Sequence, residues 1–402
     1  MTSTFAALGA PAPIVDRLDA RGITDAFPIQ TATLPDALAG RDVCGKAPTG
    51  SGKTIAFAIP LAARVSNSAP KKPKGLVLVP TRELASQVAA ELKALGVKRT
   101  LAVFGGVGYR PQIDALRRGV DVLVACPGRL ADLVNEQHVD LSAVELAVLD
   151  EADRMADMGF LPEVKRLLDR VRPDRQTLLF SATLDGDVDV LIQRYQRNPV
   201  THELHVEEDA PKNRHLFWKL AREERIDVTA DLVNKQWPAI VFCRTKHGAD
   251  RLAKQLVKRG VDAAAIHGDR SQGQRERALA SFTSGKVQAL IATDVAARGI
   301  HVDDVALVVH FDQPGSEKDY VHRSGRTGRA GATGLVVSLV QKDLTDAAFD
   351  LQRKLGYEQE LHWPDMDALV DDRHDAREAV APARAARPTP SGNRRPPQRS
   401  RR

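Results

Sequence analysis

The chain is poor in aromatic residues and in cysteine, lacks any long apolar run, and carries almost no net charge over most of its length. Phe, Trp and Tyr make up 4% of its 402 residues. That scarcity argues against a nucleic-acid surface built mainly on stacked aromatic platforms. None of the three cysteines (Cys44, Cys126 and Cys243) has a C-x-x-C partner, so neither zinc nor redox chemistry is indicated. Each reads instead as a small apolar residue near a strand end in a reducing compartment. No apolar run approaches the ~20 residues needed to span a bilayer. The opening M-T-S-T-F-A-A-L-G-A-P has neither the basic start nor the apolar stretch of a signal peptide. A soluble, cytoplasmic protein with no membrane partner is expected.

The formal net charge is +6, but residues 381–402 hold seven arginines (Arg384, Arg387, Arg394, Arg395, Arg399, Arg401, Arg402) and no acid. Subtracting +7 from +6 leaves the rest of the chain at −1. Overall basicity therefore says nothing about a polyanionic partner, and a basic face on the body must be sought residue by residue.

What is present is alternation. Short apolar runs at 75–79, 121–124, 146–149 and 177–180 read as strands buried on both faces, with helical patterns at 82–95 and 162–171 between them. The plan repeats with strands at 239–243, 263–266, 288–291, 306–310 and 334–339 and helices at 246–259 and 272–284. Such a pattern predicts an α/β fold with two tandem parallel-sheet domains, since βαβ units force parallel pairing. The length supports two domains as well. The polar stretch 206–214, with Pro211, is expected to link domain 1–205 to domain 215–364. Residues 365–402, charged and then Arg/Pro-rich, are expected to be a disordered tail.

The strongest local signal is Ala47-Pro48-Thr49-Gly50-Ser51-Gly52-Lys53-Thr54, set between a strand-like segment and an apolar helical one. Glycines permit a tight turn that aims successive N–H groups at phosphate oxygens, and the following helix adds the positive end of its dipole. In this reading Thr49, Gly50, Ser51 and Gly52 cradle phosphates, Lys53 reaches the β- and γ-phosphates, and Thr54 ligates Mg²⁺. Ala47 stands where the general motif has its first glycine. At the end of the apolar run 145–149, Asp150 is placed as the carboxylate that completes the Mg²⁺ site, and Glu151 as the group that orients or deprotonates water. The second half has no such loop. It has His322-Arg323-Ser324-Gly325-Arg326-Thr327-Gly328-Arg329, whose Arg326 and Arg329 are candidates to reach the γ-phosphate across a cleft.

With these residues in hand, the chain resembles the DEAD-box RNA helicases of superfamily 2 from about Phe5 to Leu339. The resemblance implies two RecA-like, P-loop-type domains, ATP and Mg²⁺ as cofactors, and RNA as partner. It assigns adenine recognition to Gln30, within Gly22–Gln30, and base stacking to Phe5, although Ala26 and Phe27 stand where the family has Pro and Thr. It assigns RNA contact to Pro80, Thr81 and Arg82, to Gly105 and Gly106, and to Pro127, Gly128 and Arg129. In the second half it adds Arg244, Thr245, Arg275 with Gln272, and Thr293. Cys126 replaces the usual threonine. Asp294 falls in the nucleotide set, and His301 stands where the family has the Asp that meets ribose. Ser181 and Thr183 match the motif that couples hydrolysis to strand separation, and His322 joins the catalytic set.

These residues fall at strand ends and helix starts, where N–H groups and hydroxyls meet phosphates, so little sequence specificity is expected. The expected function is RNA-stimulated ATP hydrolysis coupled to lobe closure and local unwinding of short RNA duplexes by a monomer. RNP, ribosome-assembly or RNA-decay proteins are the candidate protein partners. An ATP-gated RNA clamp that serves as an assembly platform, and a DNA helicase of the same superfamily, are the alternatives.

Overall fold

Runs of Val, Leu, Ile and Ala build the strands, because a parallel strand covered by helices on both faces needs apolar side chains on both. The structure, a computed structural model, describes residues 3–48, 50–184, 186–204, 213–297, 302, 305–328 and 333–369. The first sheet holds β1 (Val43–Lys46), β2 (Gly75–Leu78), β3 (Thr100–Val103), β4 (Val122–Ala125), β5 (Leu146–Asp150), β6 (Gln176–Ser181) and β7 (Val200–Glu203). Its order is β3-β4-β2-β5-β6-β1-β7, and every pairing is parallel. The second sheet holds β8 (Arg214–Lys219), β9 (Ala239–Phe242), β10 (Ala263–Ile266), β11 (Ala289–Ala292), β12 (Leu307–His310) and β13 (Leu335–Val340). Its order is β10-β11-β9-β12-β13-β8, again all parallel. The predicted two-sheet α/β architecture is therefore the observed one.

Both sheets lie within one compact unit, Met1–Pro364. Residues 365–402 are separate; the part described, 365–369, contains a single 3-10 turn at Asp367–Leu369. The rest of the expected tail lies outside the described residues, as do residues 206–212 of the expected linker. Arg214, placed in that linker from sequence, instead opens β8. The error has a physical cause. Arg-His-Leu-Phe-Trp-Lys is an edge strand with one ladder partner, and its charged ends hide its apolar centre. Among the described residues no helix is long and apolar enough to cross a membrane.

The strands of the first lobe are fastened at their N-terminal ends. Asp42, just before β1, accepts from Thr177 N at 2.7 Å and Arg197 N at 2.6 Å. Gln176 donates from Nε2 to Ala37 O at 2.9 Å and Arg41 O at 2.6 Å. The C-terminal ends are left to carry loops. There the order β5-β6-β1 sets the end of β5 (Asp150) and the loop after β1 on either side of Ser181. Ala47 N donates to Ser181 O at 3.0 Å, tying that loop to β6.

Candidate active site

The loop after β1 enters its helix, Lys53–Arg64, through Gly52 in the left-handed region (φ 87°), with Gly50 also there (φ 86°). A side chain at Gly52 would meet Gln30 Nε2 and Phe27 Cδ2, both 2.5 Å from its Cβ. Glycine is required by both the backbone angle and this close approach. Lys53 is buried, and its Nζ donates to Ala47 O at 2.8 Å and Pro48 O at 3.2 Å. Ser51 Oγ donates to Pro48 O at 2.8 Å. A cavity of about 230 Å³ opens here, lined by Phe27, Gly50, Gly52, Lys53, Thr54, Asp150 and Glu151. Six of these seven stand in the predicted phosphate set or beside its carboxylates; the seventh, Phe27, does not. Thr49 lies outside the described residues.

Asp150 ends β5 and is 3% exposed. Burial pushes its carboxyl up to about 7, opposed by the charge of Lys53 and reinforced by that of Glu151. Its Oδ1 accepts from Glu151 N at 3.0 Å. Glu151 is buried and holds φ 54°, ψ 51°, a left-handed conformation uncommon for a non-glycine residue. Such a kink turns the chain from β5 into the helix Ala152–Asp157 and leaves both carboxylates facing the cavity. Asp150 and Thr54 offer hard oxygen donors beside the phosphate loop, which suits Mg²⁺ held partly by protein and partly by phosphate. Among the described residues no group of three or more His, Cys, Asp or Glu side chains would hold a metal unaided.

Phe5 and Gln30, the two adenine-side residues, are both buried. Phe5 is 1% exposed and sits in the core with Ile14, Leu18 and Ile29, so it has no face free for a base. The exposed aromatic at the cavity is Phe27, at 55%. Gln30 is 1% exposed, and both ends of its amide are committed: Oε1 accepts from Phe27 N at 2.8 Å and Nε2 donates to Gly52 O at 2.9 Å. It braces the phosphate loop rather than presenting a free amide.

Ser181 Oγ accepts from Asp153 N at 3.1 Å, and Asp153 Oδ2 accepts from Ala182 N at 3.3 Å. Ser181 thus links the coupling motif to the segment Asp150–Asp153; among the described residues Thr183 adds no such bond.

Thr81 caps the helix Arg82–Ala94, accepting from Leu84 N at 3.3 Å, after Pro80 turns the chain out of the sheet. The Arg82 guanidinium passes so close to Gly106 that a Cβ there would lie 2.1 Å from Nη1; Gly105 stands beside it. Pro127 opens the helix Pro127–Asn135, and Gly128 has open space around it. Arg129 donates to Val107 O at 3.0 Å and lies 3.8 Å over the Tyr109 ring, bracing the loop after Gly106. Cys126 is a free thiol pushed by burial up to about 12.

In the second lobe Thr245 caps Lys246–Lys258 through Gly248 N at 3.0 Å, and Arg244 N donates to Asp312 Oδ2 at 2.9 Å. Thr293 is buried after β11, its N donating to Ile266 O at 3.4 Å. Asp294 is gripped by Arg323 at 2.6 and 2.8 Å. The helix Glu317–Ser324 ends before Arg326, so Arg326 sits in the following turn, 4% exposed. It lines a narrow cleft with His322, Asp294, Asp319 and the first-lobe residue Arg154, adjacent to the phosphate cavity but not part of it. Arg329 and His301 lie outside the described residues.

Arg275, assigned to RNA by resemblance, pairs with Glu83, the residue after Arg82, at 2.6 Å. The two are 6% and 5% exposed and join the two lobes. Glu83, Phe27 and Arg154 are the site residues the sequence reading missed. Glu83 directly follows Arg82 in the sequence, but nothing local reveals its distant partner.

Comparison with known proteins follows the same division. The DEAD/DEAH box helicase family matches residues 27–191, and the helicase conserved C-terminal domain matches 221–331. The DEAD-box ATP-dependent RNA helicase CshA of Bacillus licheniformis is 40% identical over 356 residues, covering 86% of this chain and 73% of that protein. DEAD-box ATP-dependent RNA helicase 9 of rice, Oryza sativa subsp. japonica, is 45% identical over 343 residues, 83% of this chain but 54% of the relative. The chain thus spans only about half to two-thirds of the length of several curated relatives. Among solved structures, S. cerevisiae Dbp5 bound to RNA and ADP BeF3 superposes with a TM-score of 0.75 at 27% identity, covering 94% of this chain and 98% of that one.

Proposed function

Because the chain belongs to the DEAD-box ATP-dependent RNA helicase family, we propose that it hydrolyses ATP in response to RNA and uses lobe closure to separate short RNA duplexes. The observation that carries the reading is the single cavity in which Lys53, Thr54, Asp150 and Glu151 converge at the strand ends of the first lobe, beside a cleft closed by the second.

Lys53 and the N–H groups from Gly50 to Thr54 bind the phosphates. Thr54 and Asp150 would hold Mg²⁺, which when bound neutralises charge developing on the phosphate oxygens. Lys53 exchanges its bonds to Ala47 O and Pro48 O for phosphate oxygens. Glu151 orients the attacking water and accepts its proton. Arg326, with Arg329, supplies positive charge from the second lobe, and His322 lines the same approach. Gln30 transmits the position of the Phe27 segment to Gly52, so nucleotide contact and phosphate-loop geometry are linked. Thr81, Arg82, the Gly105–Gly106 turn, Arg129, Arg244 and Thr245, at strand ends and helix starts, meet the sugar-phosphate backbone. Residues 381–402, with seven arginines, act as a nonspecific electrostatic tether for RNA.

The test is the ATPase rate with RNA, with DNA of the same sequence and with neither, followed by displacement of a short RNA strand. RNA alone should stimulate turnover. Glu151→Gln should retain ATP and RNA but hydrolyse at least roughly a hundredfold more slowly. Equal stimulation by DNA, or full turnover by Glu151→Gln, would refute the reading.

A further inference from the structure

Arg154 directly follows Asp150-Glu151-Ala152-Asp153 and takes no part in the chemistry proposed for the cavity. Its side chain is buried at 6% exposure. Nε lies 4.0 Å from Glu151 Oε2, an i,i+3 pair on the turn that leaves β5. Both Arg154 Nη1 and Glu151 Oε2 are buried without a hydrogen-bond partner among the described residues. On its other side Arg154 lines the narrow cleft with Asp294, Asp319, His322 and Arg326 of the second lobe.

We propose that Arg154 is a positioning residue that orients the Glu151 carboxylate and makes that orientation depend on contact with the second lobe. The inference rests on the ATPase reading and deepens it. At 4.0 Å the pair is longer than a direct hydrogen bond, so the guanidinium acts on Glu151 through charge. Such an interaction strengthens steeply as water is excluded. The second lobe does the excluding, since its residues form the other wall of the cleft. The acids on that wall are already engaged: Asp294 with Arg323 at 2.6 and 2.8 Å, and Asp319 with Ser316 Oγ at 2.9 Å. They therefore compete weakly for Arg154 and leave it to Glu151. When the lobes part, water reaches Arg154, its hold on Glu151 weakens, and the base loses its fixed orientation. Hydrolysis without RNA is suppressed by this loosening as well as by withdrawal of Arg326.

The experiment compares steady-state ATPase of the full chain with Arg154→Gln, Arg154→Lys, Glu151→Gln and the double variant Glu151→Gln/Arg154→Gln. Arg154→Gln should lower the RNA-stimulated kcat roughly ten- to a hundredfold with KM for ATP changed less than about twofold. Arg154→Lys, which keeps the charge, should recover part of the activity. The double variant should be no slower than Glu151→Gln alone, because Arg154 acts only through Glu151. An unchanged kcat in Arg154→Gln, an effect confined to KM, or additive effects in the double variant would overturn the proposal. A wild-type chain with no RNA-stimulated ATPase would instead sink the underlying functional reading, so the two failures are distinguishable.

Discussion

Single residues in this protein often do something other than what their type suggests. Glu151 sits at φ 54°, where a non-glycine residue costs about 1–3 kcal/mol, and the adjoining strand and helix hold it there. Phe5, assigned to base stacking by resemblance, fills the core, whereas Phe27, given no role, stands at the mouth of the phosphate cavity. Residue type could not separate them, because exposure of a lone aromatic depends on which element covers it. His215 is a further case. Its Nδ1 lies 2.8 Å from Tyr320 Oη, and burial lowers its pKa from 6.5 to about 4. The unfolded chain therefore takes up this proton first as pH falls. The stabilisation is present in full above about 6.5 and is lost progressively down to about 4. It amounts to up to about 3 kcal/mol for this residue. His215→Gln keeps a polar partner for Tyr320 without titrating. Its unfolding free energy, measured by denaturant titration, should fall less than that of the wild type between pH 7 and pH 4.

At the scale of elements, the two lobes meet through the helices Arg82–Ala94 and Gln272–Thr283, whose first turns present Glu83 and Arg275 to each other. Removing one partner of a buried pair strands the other charge, a cost of about 3–5 kcal/mol. That cost falls on closure rather than on either sheet. Glu83→Gln should therefore raise the RNA concentration needed for half-maximal ATPase by roughly a hundredfold, and Glu83→Gln/Arg275→Gln should restore much of the response. Titration of ATPase against RNA measures both. The sheets themselves were legible because buried parallel strands such as β5, Leu146–Asp150, read as uninterrupted apolar runs. The phosphate loop was legible because its chemistry is local to consecutive residues. The edge strands β7 and β8 were not: β7 alternates half-buried and exposed positions, and β8 begins and ends with a cation. The Glu83–Arg275 pair was not legible either, since 192 residues separate the partners and no spacing rule reaches so far.

At the scale of the whole molecule, charge is partitioned between a nearly neutral body and a terminal segment with seven arginines. If that segment tethers RNA, deleting residues 381–402 should flatten the dependence of RNA affinity on salt. The log–log slope should shrink by about 0.7 for each single-strand phosphate that the deletion leaves unneutralised. RNA-stimulated ATPase should persist at saturating RNA. Fluorescence anisotropy of labelled RNA at several salt concentrations measures the slope, and an unaltered slope would rule the tether out. The first lobe, for its part, is fastened across the N-terminal ends of its strands. Asp42 and Gln176 bolt the roots of β1, β6 and β7 together, whereas the opposite rim is left to loops. The rim loops can therefore vary in length and sequence while the roots of β1, β6 and β7 keep their register.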